Sequence, residues 1–314
     1  MPENLKIGIV GAGMIGAAYA ALFTGHGYPV MIYDISKDLI TRGKARYDEL
    51  YDAIVARGLF TGEQREKARS LLNSTLSLKD LDGAFILFEC VPEDLEIKKK
   101  LYTQIEDEIE DAGAIVSTSS ALAPDDLISD MKKFRSKLVV GHPFNPPHLV
   151  PFVELIKSKE TEESVVALVK EFLESNGRQV GVMLKAAPGF IANRLQHALL
   201  REAMHLVDEG YVSCPEDVDK ALTYSFIPRY TKVGIFEHHD LFGMDNTQRL
   251  QNYLYPHLHT GRGAADMVNK LVEKGEYGMK TGKGIYEWDD GKIAGFKSRA
   301  AEPYWGFFDW KLPE

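Results

Sequence analysis

A glycine-rich turn, Gly11-Ala12-Gly13-Met14-Ile15-Gly16, follows directly on the apolar, β-branched run Leu5 to Val10. That run reads as a short buried strand. Ala17 to Phe23 then reads as a helix ending near Gly25 to Gly27, and Pro29 to Tyr33 as a second strand. Asp34 closes that strand, 18 residues beyond Gly16. Strand, GxGxxG turn, helix, strand and acid, in that order, specify a βαβ unit of Rossmann type. Gly11 permits a tight turn, Gly13 lets the backbone approach a pyrophosphate, and Gly16 lets the helix pack closely on the strand. Phosphate is favoured at the helix N-terminus by free N–H groups and the helix dipole. The turn's Gly11, Gly13, Met14, Ile15 and Gly16 are therefore candidate dinucleotide contacts. Asp34 would accept hydrogen bonds from ribose hydroxyls and repel a 2′-phosphate, so NAD is expected over NADP.

Helical pattern follows from about Lys37 to Leu72, broken at Gly58 to Gly62. Strand candidates are Ala84 to Cys90, Ala114 to Thr118 and Leu138 to Gly141, with a helix over Glu96 to Glu110. Alternating strands and helices imply a doubly wound, mostly parallel sheet covered on both faces. Ligands of such sheets bind beyond the carboxyl ends of the strands. Glu93 and Lys98, Ser117 to Ser120, and His142 to Asn145 are the polar residues placed there.

Gly141 to Ile156 reads GHPFNPPHLVPFVELI. His142 follows a buried strand, prolines stiffen the turn, and Pro151 to Ile156 forms another strand holding Glu154. A carboxylate in an apolar strand needs a partner, because an unpaired buried charge is costly. An imidazole would supply one, and the carboxylate would fix its tautomer and raise its basicity. His148, His197, His205, His238 and His239 read instead as surface or packing residues.

Ala187-Pro188-Gly189 breaks the chain after a strand at Val180 to Leu184. An amphipathic helix runs from Phe190 to Glu209, another starts near Pro215, and the rest is mostly helical to Tyr277. This divides the chain into a dinucleotide-binding domain over 1–186 and an all-helical domain over 187–314. The aromatic segment Phe296 to Trp310 is open to three readings: packing, a dimer contact or a lid over the substrate.

Composition narrows the partners. Of 314 residues, 37 are Lys or Arg and 46 Asp or Glu, a net charge of −9. No basic footprint for nucleic acid or anionic membrane is evident. No apolar stretch approaches a membrane span, and the opening MPENLK runs straight into the first strand, so no leader is expected. Two cysteines are too few for a disulfide framework or a cysteine metal site, and they fit a reducing, cytoplasmic setting. No metal site is expected.

GAGMIG, VPEDLEIK, STSS, HPFNPP with VELI, and PGFIANR occur in this order. In that order they resemble the 3-hydroxyacyl-CoA dehydrogenase family, from Lys6 to about Tyr286. HPFNPPHLVPFVEL, NRLQ and the pattern around LVDEGYVS are most similar to the branch holding L-gulonate 3-dehydrogenase and lambda-crystallin. The resemblance implies His142 as catalytic base, Glu154 as its partner, and Ser119 and Asn193 as contacts to the reacting oxygen. It also implies Glu93, Lys98, Ser119, Asn145 and Lys280 as cofactor contacts, and pairing of two copies through the helical domain. Arg229 matches an arginine suited to a substrate carboxylate. Taken singly, Ser117 or Ser120 could replace Ser119, Asn193 could cap its helix, Glu93 could be a first-turn helix carboxylate, and Lys98, Arg229 and Lys280 could be solvated charges. The branch's glycines before Arg229 are replaced by Thr223-Tyr224-Ser225-Phe226, which leaves the substrate open.

The expected reaction is NAD-dependent oxidation of a small L-3-hydroxy acid, L-gulonate-like, to the 3-keto product. An L-3-hydroxyacyl-CoA substrate and an NAD-binding structural role of lambda-crystallin type are the alternatives. Lysine-rich helices follow the second strand in CoA-using relatives; here that region carries Asp48, Glu49 and Asp52, with Arg57 one basic contact and Arg42, Lys44 and Arg46 upstream.

Overall fold

The computed structural model describes residues 5–312. The expectation of no leader falls on residues 1–4 and lies outside them. The chain divides into two compact units: one runs to Ile191 and resumes at Ala300, the other is Ala192–Arg299.

In the first unit, β1 (Ile7–Val10), α1 (Met14–Gly25) and β2 (Val30–Tyr33) form the expected βαβ unit. The helices α2 (Lys37–Ala56) and α3 (Gly62–Ser70) follow, with the break where the glycines predict it. Ser36 caps α2 by accepting from Leu39 N (3.3 Å), and Thr61 and Gln64 cap α3 reciprocally. Next come β3 (Leu72–Thr75), β4 (Ala84–Glu89), α4 (Leu95–Glu108), β5 (Ala112–Ser117), the single turn α5 (Pro124–Leu127), β6 (Leu138–Pro143), β7 (Phe152–Lys157), α6 (Glu163–Ser175) and β8 (Gln179–Met183).

All eight strands join one sheet in the order β3-β2-β1-β4-β5-β6-β7-β8. Six of the neighbouring pairs are parallel, and β6 with β7 is antiparallel. The order turns back between β1 and β4, which opens the crevice where such sheets take ligands. Both faces are buried, as a parallel sheet requires. Ile7, Ile9, Ile86, Phe88, Ala114, Val116 and Val139 feed one apolar layer. Leu87, Ile115, Leu138 and Val140, alternating with them, feed the other.

The second unit is helical: α7 (Ala192–Asp208), α8 (Pro215–Tyr224), α9 (Ile227–Tyr230), α10 (Ile235–Phe242), α11 (Met244–Leu254), α12 (Asp266–Glu273) and the first part of α13 (Asp290–Trp305). Its isolated bridges join Gly278 to Lys283 and Lys283 to Glu287.

The division at 187 needs one correction. Residues from Ala300 belong to the first unit, because Trp305, Phe308 and Trp310 pack into its core with Tyr51 and Phe60. Packing is thus the reading the structure favours for this part of the aromatic segment.

Candidate active site

β6 and β7 bring the first pair of site residues together. In their antiparallel register His142 stands directly opposite Glu154. His142 Nδ1 lies 2.6 Å from Glu154 Oε2, and both residues are buried. Glu154 Oε1 accepts from Ile191 N at 2.6 Å. A carboxylate on Nδ1 selects the tautomer protonated there and leaves a lone pair on Nε2. Phe144 and Phe190 pack on the imidazole with ring centroids at 5.0 and 5.5 Å. Phe190 is held at φ 50°, a conformation that L side chains rarely adopt, and it is buried. A strained residue against the histidine marks a place where structure is held for a purpose.

The ends of β4 and β5 supply a polar network. Glu89 is wholly buried; its carboxylate accepts from Lys98 Nζ, Tyr102 Oη and Ser117 Oγ, each at 2.6 Å, and from Val91 N at 2.9 Å. Glu93, partly exposed, accepts from Ser119 Oγ (2.6 Å) and from the N–H groups of Ser120 (2.9 Å) and Ala121 (2.8 Å). Burial pushes the Glu93 carboxyl up, but the bonds from Ser119 and Ala121, with Lys98 nearby, outweigh it and hold the group below its usual range.

Of the three serines, Ser117 is engaged by Glu89, and Ser119 both donates to Glu93 and accepts from Leu122 N (2.9 Å). Lys98 is not a solvated charge. It is buried on Glu89, and Nζ lies 3.9 Å from Glu93 Oε2. Glu89, Tyr102 and Phe190 join the site beyond the residues expected from the sequence. Glu89, like Glu154, is a carboxylate in an apolar strand and needs buried partners for the same reason.

The glycine turn fits a dinucleotide. Gly11 has φ +106°, and a Cβ there would meet the Cys90 carbonyl oxygen at 2.8 Å. Beside Gly13 there is open space, so the backbone stands clear for a pyrophosphate. No side chain caps α1 at Gly13, which leaves its first-turn N–H groups directed at that space. Asp34 Oδ2 accepts from Ala12 N (2.7 Å), tying the end of β2 to the turn. Asn145 Nδ2 reaches Met14 Sδ at 3.6 Å, so the loop after His142 borders the same turn.

Asn193, Arg229 and Lys280 belong to the second unit. Asn193 lies inside the first turn of α7, not ahead of it as a cap. Arg229 Nη1 is 3.1 Å from His238 Nε2, and Lys280 lies in an exposed turn. Of the other histidines, His148 is buried, His205 stacks on His259 with centroids at 4.4 Å, and His239 meets Thr247 at 3.2 Å. Among the described residues no three His, Cys, Asp or Glu side chains are grouped to hold a metal ion, and no helix is long and apolar enough to cross a membrane.

Residues 6–186 match the model of the 3-hydroxyacyl-CoA dehydrogenase NAD binding domain, and 189–288 match that of its C-terminal domain. Lambda-crystallin of Oryctolagus cuniculus is 33% identical over 231 residues, 73% of this chain and 72% of its own length. L-carnitine dehydrogenase of Streptomyces coelicolor is 35% identical over 226 residues, 71% of this chain and 69% of its own. A solved structure of 5-formyl-3-hydroxy-2-methylpyridine 4-carboxylic acid 5-dehydrogenase, an NAD+ dependent dismutase, has TM-score 0.84 and 27% identity, covering 95% of this chain and 96% of that one.

Proposed function

The chain belongs to the 3-hydroxyacyl-CoA dehydrogenase family, and from that premise we propose that it oxidises the secondary hydroxyl of a small, CoA-free L-3-hydroxy acid, L-gulonate-like, to the 3-keto acid. NAD dependence and a CH–OH substrate follow from the family itself. The observation that carries the chemistry is the buried His142–Glu154 pair at 2.6 Å.

His142 Nε2 takes the proton of the hydroxyl, and Glu154 stabilises the imidazolium that results. NAD⁺, when bound, would supply the hydride acceptor for the same carbon, so that loss of proton and hydride together would leave a carbonyl. Ser119 and Asn193 hold the oxygen as it becomes that carbonyl. Ser119 now donates to Glu93, so it turns its hydroxyl proton toward the oxygen when substrate binds. Gly11, Gly13, Met14, Ile15, Gly16 and Asp34 would hold the adenosine and pyrophosphate, and Glu93, Lys98, Ser119, Asn145 and Lys280 the nicotinamide side. Lys98 contributes by orienting Glu93. Arg229 receives the substrate carboxylate in bidentate fashion.

Several ion pairs support a CoA-free substrate. Arg57 lies over the Trp305 ring at 4.4 Å and bonds Glu302 at 3.2 Å, so it is not poised for a phosphate. Arg65 and Arg69 meet Asp52 and Asp48 at 3.0 and 2.8 Å, and Arg42 meets Asp38 at 2.6 Å. A homodimer through the second unit is supported by its exposed apolar side chains, among them Leu195, Phe236, Leu241 and Tyr224. The unpaired cysteines suit a cytoplasmic enzyme. A second substrate class, an aromatic carboxylate, is favoured by the likeness to the pyridine carboxylic acid dehydrogenase over 95% of the chain.

The test is NAD⁺ and NADP⁺ reduction with L-gulonate, L-carnitine, L-3-hydroxybutyrate, a hydroxymethylpyridine carboxylate and 3-hydroxybutyryl-CoA. Turnover with a free acid and NAD⁺ supports the proposal. Turnover with the thioester alone would replace it with an acyl-CoA enzyme. NADH binding without turnover on any of them points to an NAD-binding structural protein.

A further inference from the structure

The chain from Ala300 returns to the first unit, where its side chains have fitted seats. Trp310 is 6% exposed. Its ring lies 5.9 Å from Tyr51, 6.0 Å from Phe60, 6.3 Å from His26 and 6.5 Å from His148, centroid to centroid. Gly25, at the end of α1, makes this possible, because a Cβ there would strike the indole. Asp309 lies over Gly177 and 3.8 Å from the guanidinium of Arg178.

Arg178 is 1% exposed and connects this segment to the site. Its Nε donates to the Asn176 carbonyl (3.1 Å) and its Nη1 to the Pro147 carbonyl (3.2 Å). Pro147 and His148 lie in the loop that follows His142, and Asn145 of that loop reaches Met14 in the glycine turn. A buried guanidinium needs a counter-charge, and half-exposed Asp309 supplies one. Two contacts thus run from the C-terminal segment to this loop: Trp310 to His148, and Asp309 through Arg178 to Pro147.

We propose that the C-terminal segment is a clasp that sets the 144–150 loop against the glycine turn and so tunes cofactor affinity. Trp310, Asp309 and Arg178 are positioning residues in this scheme. The inference rests on the reading that NAD(H) occupies the Gly11–Gly16 turn. Were the segment merely structural, its loss would lower the melting temperature and leave the cofactor affinity of folded protein unchanged.

The test is NADH titration, followed by NADH fluorescence, on wild type and on Trp310→Ala, Trp310→Phe, Gly25→Ala and Asp309→Asn, at a temperature where circular dichroism shows native content. Losing an anchor of this kind should raise the NADH Kd about tenfold in Trp310→Ala and Gly25→Ala, and about threefold in Asp309→Asn. Trp310→Phe should restore binding to within about twofold, and kcat at saturating cofactor should stay within about twofold throughout. Folded Trp310→Ala with a wild-type Kd would overturn the clasp. Should Trp310→Ala fail to fold, Asp309→Asn decides, and a wild-type Kd there overturns it equally. Absence of NADH binding by wild type would overturn the cofactor reading and the clasp with it; equal binding by all folded variants overturns the clasp alone.

Discussion

At the residue scale the site is organised around two buried carboxylates, Glu154 and Glu89. Each is taken out of water and compensated by several donors, which is the condition for a buried charge to persist. They do different work. Glu154 faces an imidazole with an open Nε2, whereas Glu89 ties Lys98, Tyr102 and Ser117 together beneath the Ser119 turn. Glu154→Gln should lower kcat by about 10²-fold or more while NADH still binds, because a neutral amide cannot stabilise an imidazolium. Glu89→Gln should cost about 3 kcal/mol in urea unfolding, leaving Lys98 without its ion pair; an unchanged midpoint would contradict the network. Asp34→Ser should raise kcat/KM with NADP⁺ relative to NAD⁺, and an unaltered ratio would remove Asp34 from cofactor selection. His142 and Glu154 are legible in the sequence because one apolar strand carries a carboxylate and a neighbouring one ends in histidine. Glu89 is legible by the same rule. The left-handed Phe190 is not, since no local pattern announces a bulky residue at positive φ.

At the element scale, local signals are legible in the sequence and long-range ones are not. The first βαβ unit, the break between α2 and α3, and the Pro215 helix start depend on residues within a few positions of one another. β3 escapes notice because LNST has no apolar run; only pairing with β2 makes it a strand. α6 carries a local signal, with Val165, Val166, Val169, Phe172 and Leu173 buried along it. The C-terminal segment is the clearest long-range case, since nothing near Trp310 says that it packs on Tyr51 and Phe60. It also makes stability depend on pH. Burial pushes the imidazoles of His26 and His148 down to about 4; for His26, nearby Asp309 opposes this and Arg178 and Lys311 assist, and for His148, Arg178 assists. The unfolded chain takes up these protons first, near its ordinary value of about 6.5. Stability should therefore be unaffected above that pH and fall progressively between about 6.5 and 4, by roughly a few kcal/mol. Thermal melts of wild type and a His26→Gln, His148→Gln double variant check this, and the variant should lose most of the slope in that window.

At the scale of the whole molecule the two units differ in kind. The first has a two-layered core around an eight-stranded sheet, whereas among the described residues of the second only Thr247 is buried. Helices that keep so much apolar surface in the single chain are what the proposed pairing with a second copy would cover. Sedimentation equilibrium should give twice the chain mass, and a stable monomer would contradict the dimer. The net charge of −9 takes local form in the ion pairs that occupy Arg42, Arg57, Arg65 and Arg69, the observation behind the proposal of a free acid rather than a CoA thioester. The proposed chemistry turns on the His142–Glu154 pair of β6 and β7. The most direct measurement is the rate of NADH formation by His142→Ala beside wild type, on whichever substrate turns over, with NADH binding titrated in parallel. The account predicts a fall of about 10²–10⁴-fold in kcat with cofactor affinity unchanged; turnover near the wild-type rate would contradict it.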